Sequence, residues 1–101
     1  LENLNEKNYK EKILDYSELL KAIGHPIRLC ICFKLLKEDL NVTNLQDCLG
    51  VPQSTVSQHL SILKSKKIIS GNRNGVEVIY SLINKDIRKI VSTLFDEIEI
   101  N

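Results

Sequence analysis

The chain has 101 residues, 43% of them hydrophobic and 27% charged, with a formal net charge of +1. That length fits one domain over residues 1–101 with a small core, which dimerisation commonly enlarges. The composition is that of a soluble globular protein, with no apolar run near the roughly 18 residues a membrane span needs.

The opening LENLNEKNYKEK carries a charge every few residues and does not read as a signal peptide. Residues 1–20 hold three Lys against five acidic residues, so this end is acidic. A first helix is predicted from Tyr9 to Ile23, with Ile13, Leu14, Leu19, Leu20 and Ile23 at mostly helical spacing and Gly24 as its stop. The second helix starts at Pro26, where the missing N–H costs nothing. Ile27, Ile31 and Leu35 line one side, and Leu29, Cys32, Phe33 and Leu36 widen the apolar surface, which marks a central helix. Asn41-Val42-Thr43 reads as a turn into a short helix with Leu45, Cys48 and Leu49 inward, ended by Gly50. The next helix begins near Pro52, carries Val56, Leu60 and Leu63 as its stripe, and closes on Lys64, Lys66 and Lys67.

The period then changes. Ile68-Ile69 opens a strand, and Val76, Val78 and Tyr80 alternate along a second one. Between them lies Gly71-Asn72-Arg73-Asn74-Gly75, whose Asn-Gly pair is a hairpin signal because both residues tolerate positive φ. Asn84 caps a last helix to about Ile98, with Ile87, Ile90, Val91, Leu94, Phe95 and Ile98 on one stripe. The predicted fold class is mainly α with a β-hairpin, in the order α-α-α-α-β-β-α.

Thr43 to Lys67 fits a helix-turn-helix. The non-core positions of its second helix are Gln53, Ser54, Thr55, Ser57, Gln58 and His59, a largely neutral polar set. Gln can bond adenine through two atoms, and Ser and Thr can donate to or accept from several base edges. The same residues also suit an ordinary solvated face, and Ser54 or Thr55 would serve as a helix cap. Phosphate contact and surface packing are both open for His59. Lys64 and Arg73, the latter at the hairpin tip, are candidate phosphate contacts, although an arginine in a turn is usually just solvated. The stretch 41–80 holds Lys64, Lys66, Lys67 and Arg73 against Asp47 and Glu77, which makes the middle mildly basic. His25, just before Pro26, reads as structural or solvated rather than as a metal ligand.

These stretches resemble the ArsR/SmtB family of arsenic- and metal-responsive winged-helix repressors. ELLKAIGHPIRL is similar to the family's helix-proline-arginine opening. VPQSTVSQHLSILKSKKII is similar to its recognition helix, and NRNGVEVIYSL to its wing and second strand. The resemblance covers about Glu18 to Leu94. It implies a repressor, dimeric through its first and last helices, that binds double-stranded DNA at an imperfect inverted repeat and is released by an inducer. By position, Gln53, Ser54, Ser57 and His59 match recognition-helix residues that contact DNA, and Arg73 matches the wing. Pro52 stands where the family commonly has Ser, so one capping hydroxyl is missing.

The family's usual metal sites do not carry over. Its thiolate pair falls on Asn41 and Thr43, and its last-helix site falls on Asn84, Asp86, Glu97 and Ile100, which include no His. Zn²⁺ and softer metals favour Cys and His, so neither set is expected to sense them. Three cysteines remain, an odd number that fits reduced cytoplasmic thiols. Cys30 and Cys32 are two apart on a helix, about 200° around it, and should not grip one ion. Cys32 and Cys48 are expected in the core, while Cys30 is a candidate thiol sensor through oxidation or persulfide formation. A non-standard metal site is the other open route to a signal.

No nucleophile paired with a His, phosphate-cradling loop or metal-ligand cluster suggests an enzyme, and no cofactor is expected. The competing reading is a winged-helix module that binds another protein.

Overall fold

The structure, a computed structural model, describes the backbone of residues 2–100 and the side chains of residues 8–96. Its elements run α1 (Glu2–Ile23), α2 (Pro26–Lys37), α3 (Val42–Leu49), α4 (Gln53–Ser65), β1 (Ile69–Asn74), β2 (Glu77–Leu82) and α5 (Lys85–Ile100). The expected order α-α-α-α-β-β-α is therefore observed. Helix α1 starts well before Tyr9, since no Gly or Pro interrupts the chain from its first residue to Ile23.

The core gathers around α2, whose Ile31, Cys32 and Leu35 are buried against Leu45, Val56, Leu60, Leu63, Ile68, Ile69, Leu82, Ile87 and Val91. Phe33 reaches α5 and packs on Phe95, ring centroids 4.4 Å apart. Among the described residues α1 joins this core only near its end, through the buried Ala22 and Ile23 and the partly buried Leu19. The expected inward stripe of α1 is otherwise open: Ile13, Leu14 and Leu20 are at least half exposed. Overhang of α1 explains why the radius of gyration is 15.4 Å, against about 13 Å for a compact domain of this length. No helix among the described residues is long and apolar enough to cross a membrane.

Side-chain caps set the helix starts. Asn41 Oδ1 accepts from the Asn44 N–H (2.8 Å) at α3, and Asn84 Oδ1 from the Ile87 N–H (3.0 Å) at α5. Gly50 ends α3 in the left-handed region at φ 68°, which gives the tight turn of the helix-turn-helix. Helix α4 begins at Pro52 with no side-chain cap, so neither Ser54 nor Thr55 is spent on that role.

Leaving α4, the chain makes a Schellman turn. The Ile68 N–H donates to the Leu63 carbonyl (3.1 Å) and the Lys67 N–H to the Lys64 carbonyl (3.0 Å). The left-handed position is Lys67, at φ 58°, where glycine is the usual residue. Its Cβ costs on the order of 1 kcal/mol there. Lys67→Gly is therefore expected to raise the unfolding free energy by about 1 kcal/mol in urea titrations; a lower midpoint would contradict this account of the turn.

Strands β1 and β2 pair antiparallel from Ile69↔Leu82 to Asn74↔Glu77. The sequence expectation for the turn needs correction. Asn74 is still a paired strand residue, and the two-residue loop is Gly75-Val76. Only Gly75 has positive φ there (69°), the II′ pattern, in place of a turn with Asn and Gly both left-handed. Val76 is accordingly the hairpin tip, 96% exposed, rather than a strand residue. Arg73 lies in β1 opposite Val78. Leu40 adds a short bridge to the sheet, exchanging hydrogen bonds with Tyr80 (2.8 and 3.2 Å).

Candidate nucleic-acid interface

Four sides of α4 follow from its 3.6-residue period. Val56, Leu60 and Leu63 are buried. Ser54, Gln58 and Ser61, at i, i+4 and i+7, share the outward face and are exposed. Gln53, Ser57 and Lys64 lie along one flank, also exposed, and Thr55 and His59 lie along the other, half-buried.

The outward face is chemically uncommitted. Elsewhere, serines fold back on their own helices: the Ser17 hydroxyl donates to the Leu14 carbonyl (2.8 Å) and that of Ser65 to the Ile62 carbonyl (2.7 Å). Gln53, Ser54, Ser57 and Gln58 make no such bonds within the described residues. The helix start has no acidic residue in its first turn, so its free N–H groups and positive dipole end are not neutralised.

The Gln53 flank faces the wing. A cleft of about 250 Å³ is lined by Asn41, Thr43, Gln53, Val76, Glu77 and Tyr80. Asn41 sets its width, since its Nδ2 donates to Glu77 Oε1 (3.0 Å) while its Oδ1 caps α3. The wing is thereby tied to the helix-turn-helix. Arg73 is exposed near its end.

The opposite flank meets the start of α2. Arg28 Nη1 donates to His59 Nδ1 (3.1 Å), and Arg28 Nε donates to the Ala22 carbonyl at the end of α1. His25 caps α2, its Nδ1 accepting from the Ile27 N–H (3.1 Å), and its ring lies 4.5 Å from that of His59. Burial first, then the charges of His25 and Arg28, hold the His59 imidazole below its ordinary pKa. His25 is thus a capping residue that also abuts the recognition helix. Sequence reasoning did not single out Arg28; the His-Pro-x-Arg spacing, which puts both side chains at one helix start, was the available signal.

The thiols are dispersed. Cys32 is buried, which pushes its pKa up to about 12. Cys30 is half-buried. Cys48 is exposed, contrary to the expectation of a core position. Leu45, with the half-buried Leu49 one turn on, makes the inner side of α3, so Cys48 turns onto a groove with Phe33, Lys34, Lys37 and Leu40. Among the described residues no three His, Cys, Asp or Glu side chains gather as a metal site. Asn41 is occupied as a cap and Thr43 is exposed; the side chains of Glu97, Ile98 and Ile100 lie outside the described residues.

A helix-turn-helix whose second helix keeps an open polar face, followed by a two-stranded wing, defines a winged helix-turn-helix DNA-binding regulator. The family profile described as "Bacterial regulatory protein, arsR family" matches residues 25–70. The transcriptional repressor PagR of Bacillus anthracis is 44% identical over 81 residues, 79% of this chain and 81% of PagR. The PagR crystal structure matches with a TM-score of 0.78 over 84% of this chain and 98% of its own. The repressor SmtB of Mycobacterium tuberculosis is 43% identical over 79% of this chain, which spans 60% of SmtB. Reduced HlyU of Vibrio cholerae is 27% identical, with a TM-score of 0.85 over 89% of this chain and 95% of HlyU. The chain belongs to the ArsR/SmtB family of transcriptional repressors; it is a DNA-binding regulator of transcription and not an enzyme.

Proposed function

We propose that this chain acts as a homodimer that represses transcription by binding an imperfect inverted repeat, with α4 in the major groove. The observation that carries this reading is the uncommitted polar face of α4. Gln53, Ser54 and Ser57 read base edges, with Thr55 and Gln58 beside them, and His59 meets the backbone. Lys64 and the wing's Arg73 neutralise phosphates. Such a regulator works where the DNA is, in the cytoplasm.

Dimerisation rests on α1 and α5. Between them runs a largely apolar groove of about 380 Å³, lined by Tyr16, Leu19, Leu20, Ile87 and Ile90, with Asp86 and Lys89 on the α5 side. Exposed Tyr9, Ile13, Leu14 and Leu94 extend the apolar surface on the same two helices. A patch of this kind on a small protein marks an interface. Two-fold symmetry then sets the recognition helices about 34–36 Å apart, one turn of duplex.

The test separates base reading from backbone binding. Gln53→Ala or Ser57→Ala should lose about 1–3 kcal/mol on the cognate duplex and little on scrambled duplex. Arg73→Ala and Lys64→Ala should weaken both and lower the salt slope. Equal losses on cognate and scrambled DNA for the α4 variants would remove the base-reading role. If no duplex binds in a salt-dependent way, the protein-interaction reading takes its place.

A further inference from the structure

A helix lying in the major groove has a phosphate backbone on each side. On one side of α4 stands the wing with Arg73. On the other stands a polar cluster built from three places: His25 before α2, Arg28 within α2 and His59 on α4. All three residues are half-buried, with part of each still open to solvent. No carboxylate pairs with Arg28 among the described residues; its partners are the Ala22 carbonyl and His59. A guanidinium has five N–H donors, so several remain for another acceptor.

The hydrogen bonds also fix the protons. Arg28 can only donate, so His59 Nδ1 accepts and the neutral ring carries its proton on Nε2. His25 Nδ1 accepts from the Ile27 N–H, so that ring too is protonated on Nε2. Two imidazole rings, each with its Nε2–H left over from these bonds, and a guanidinium thus gather near the start of α2, where the helix dipole also favours an anion.

We propose that His25, Arg28 and His59 form a DNA-backbone phosphate site flanking α4, and that this site takes up a proton when the phosphate binds. The proposal rests on the reading that α4 enters the groove. In the free protein burial first, then the neighbouring His25 ring and Arg28, disfavour a positive charge on His59. An arriving phosphate reverses the balance: its charge stabilises an imidazolium and replaces His59 as an acceptor for Arg28. A group whose pKa rises on binding takes up protons, so binding must strengthen as pH falls.

The other charged groups around His59 do not change this sign. From α1, Glu18 is held by Lys66 at the far end of α4 (3.3 Å) and Lys21 is exposed; from α2, Lys34 and Lys37 lie over the Phe33 ring, 5.7 and 5.5 Å from its centroid. Helix α3 and strand β1 carry one charged side chain each, Asp47 and Arg73, and both are exposed. The chain has two histidines, and both are in this cluster. Between about pH 7.5 and pH 6 carboxylates and thiols hardly titrate, so side-chain proton linkage to DNA reports on this site; an α-amino group titrates close by, and any share it has persists when both histidines are replaced.

The experiment is fluorescence anisotropy of the full chain on a random-sequence duplex at constant salt across that window. Backbone contacts suffice for this probe, so no cognate sequence is needed. Wild-type affinity should rise several-fold on acidification, up to about tenfold per pH unit for one full proton. His59→Gln keeps an amide that can accept from Arg28, and His25→Gln tests the second ring; the double variant should bind with a flat pH profile. Arg28→Met should weaken binding at every pH, while circular dichroism checks that its helices persist. Proton NMR should show a histidine pKa moving upward when duplex is added. A wild-type profile flat in pH, with duplex binding intact, would overturn the site. So would an unchanged slope in the double variant. Absence of duplex binding at every pH would instead remove the DNA-binding reading on which the site rests.

Discussion

Replacing Leu20 by Glu is expected to lower the affinity for a two-half-site duplex by about a thousandfold or more. Leu20 is half exposed and lines the α1–α5 groove, so the folded protomer tolerates the charge in water. In a dimer the carboxylate would leave water for a groove lined mainly by Leu19, Ile87 and Ile90, with Asp86 and Lys89 also on its wall, and its desolvation would cost several kcal/mol. The protomer then meets one half-site alone. Specific complexes exceed non-specific ones by about 10³-fold or more, and a single half-site forfeits most of that margin. Sedimentation should show the shift from dimer to monomer, circular dichroism should show retained helix, and anisotropy should show the loss. A dimer that persists with full affinity would contradict the interface.

Leu63→Ala is the second large effect, a destabilisation of about 2–5 kcal/mol. Leu63 is fully buried in the core shared by α2, α4 and the start of β1. It is also the residue whose carbonyl accepts the Schellman bond from Ile68, itself fully buried. Truncation opens a cavity under the joint between recognition helix and wing. Urea unfolding at fixed protein concentration measures the change, and a loss below about 1 kcal/mol would mean that the joint repacks.

Much of this architecture was legible because its signals are local. Val56, Leu60 and Leu63 recur at helical spacing, Gly50 supplies the left-handed stop, and Asn84 stands where α5 needs a cap. The wing turn was misplaced for a physical reason: Asn-Gly and Gly-Val are both acceptable two-residue loops, and the choice depends on strand register, which pairs Asn74 with Glu77. Cys48 was misplaced because eight residues of α3 do not define how wide the buried side is. Helix α1 reads as amphipathic, yet its Tyr9, Ile13, Leu14 and Leu20 are half exposed or more. The Arg28–His59 bond spans 31 positions, and no local pattern announces it. The polar face of α4 was readable as a candidate, but that Gln53, Ser54, Ser57 and Gln58 make no side-chain hydrogen bonds among the described residues was visible only in the fold.

The most direct test of the central claim is selection of duplexes from a random-sequence pool by the full chain, followed by sequencing of the bound DNA. The proposed mechanism predicts convergence on an inverted repeat whose half-site centres lie about 10–10.5 base pairs apart, or a multiple of this. It also predicts that Gln53→Ala relaxes the base preference at one position in each half-site while the spacing is kept. A pool that stays random, or that converges on a motif indifferent to substitutions at Gln53, Ser54 and Ser57, would contradict recognition through α4.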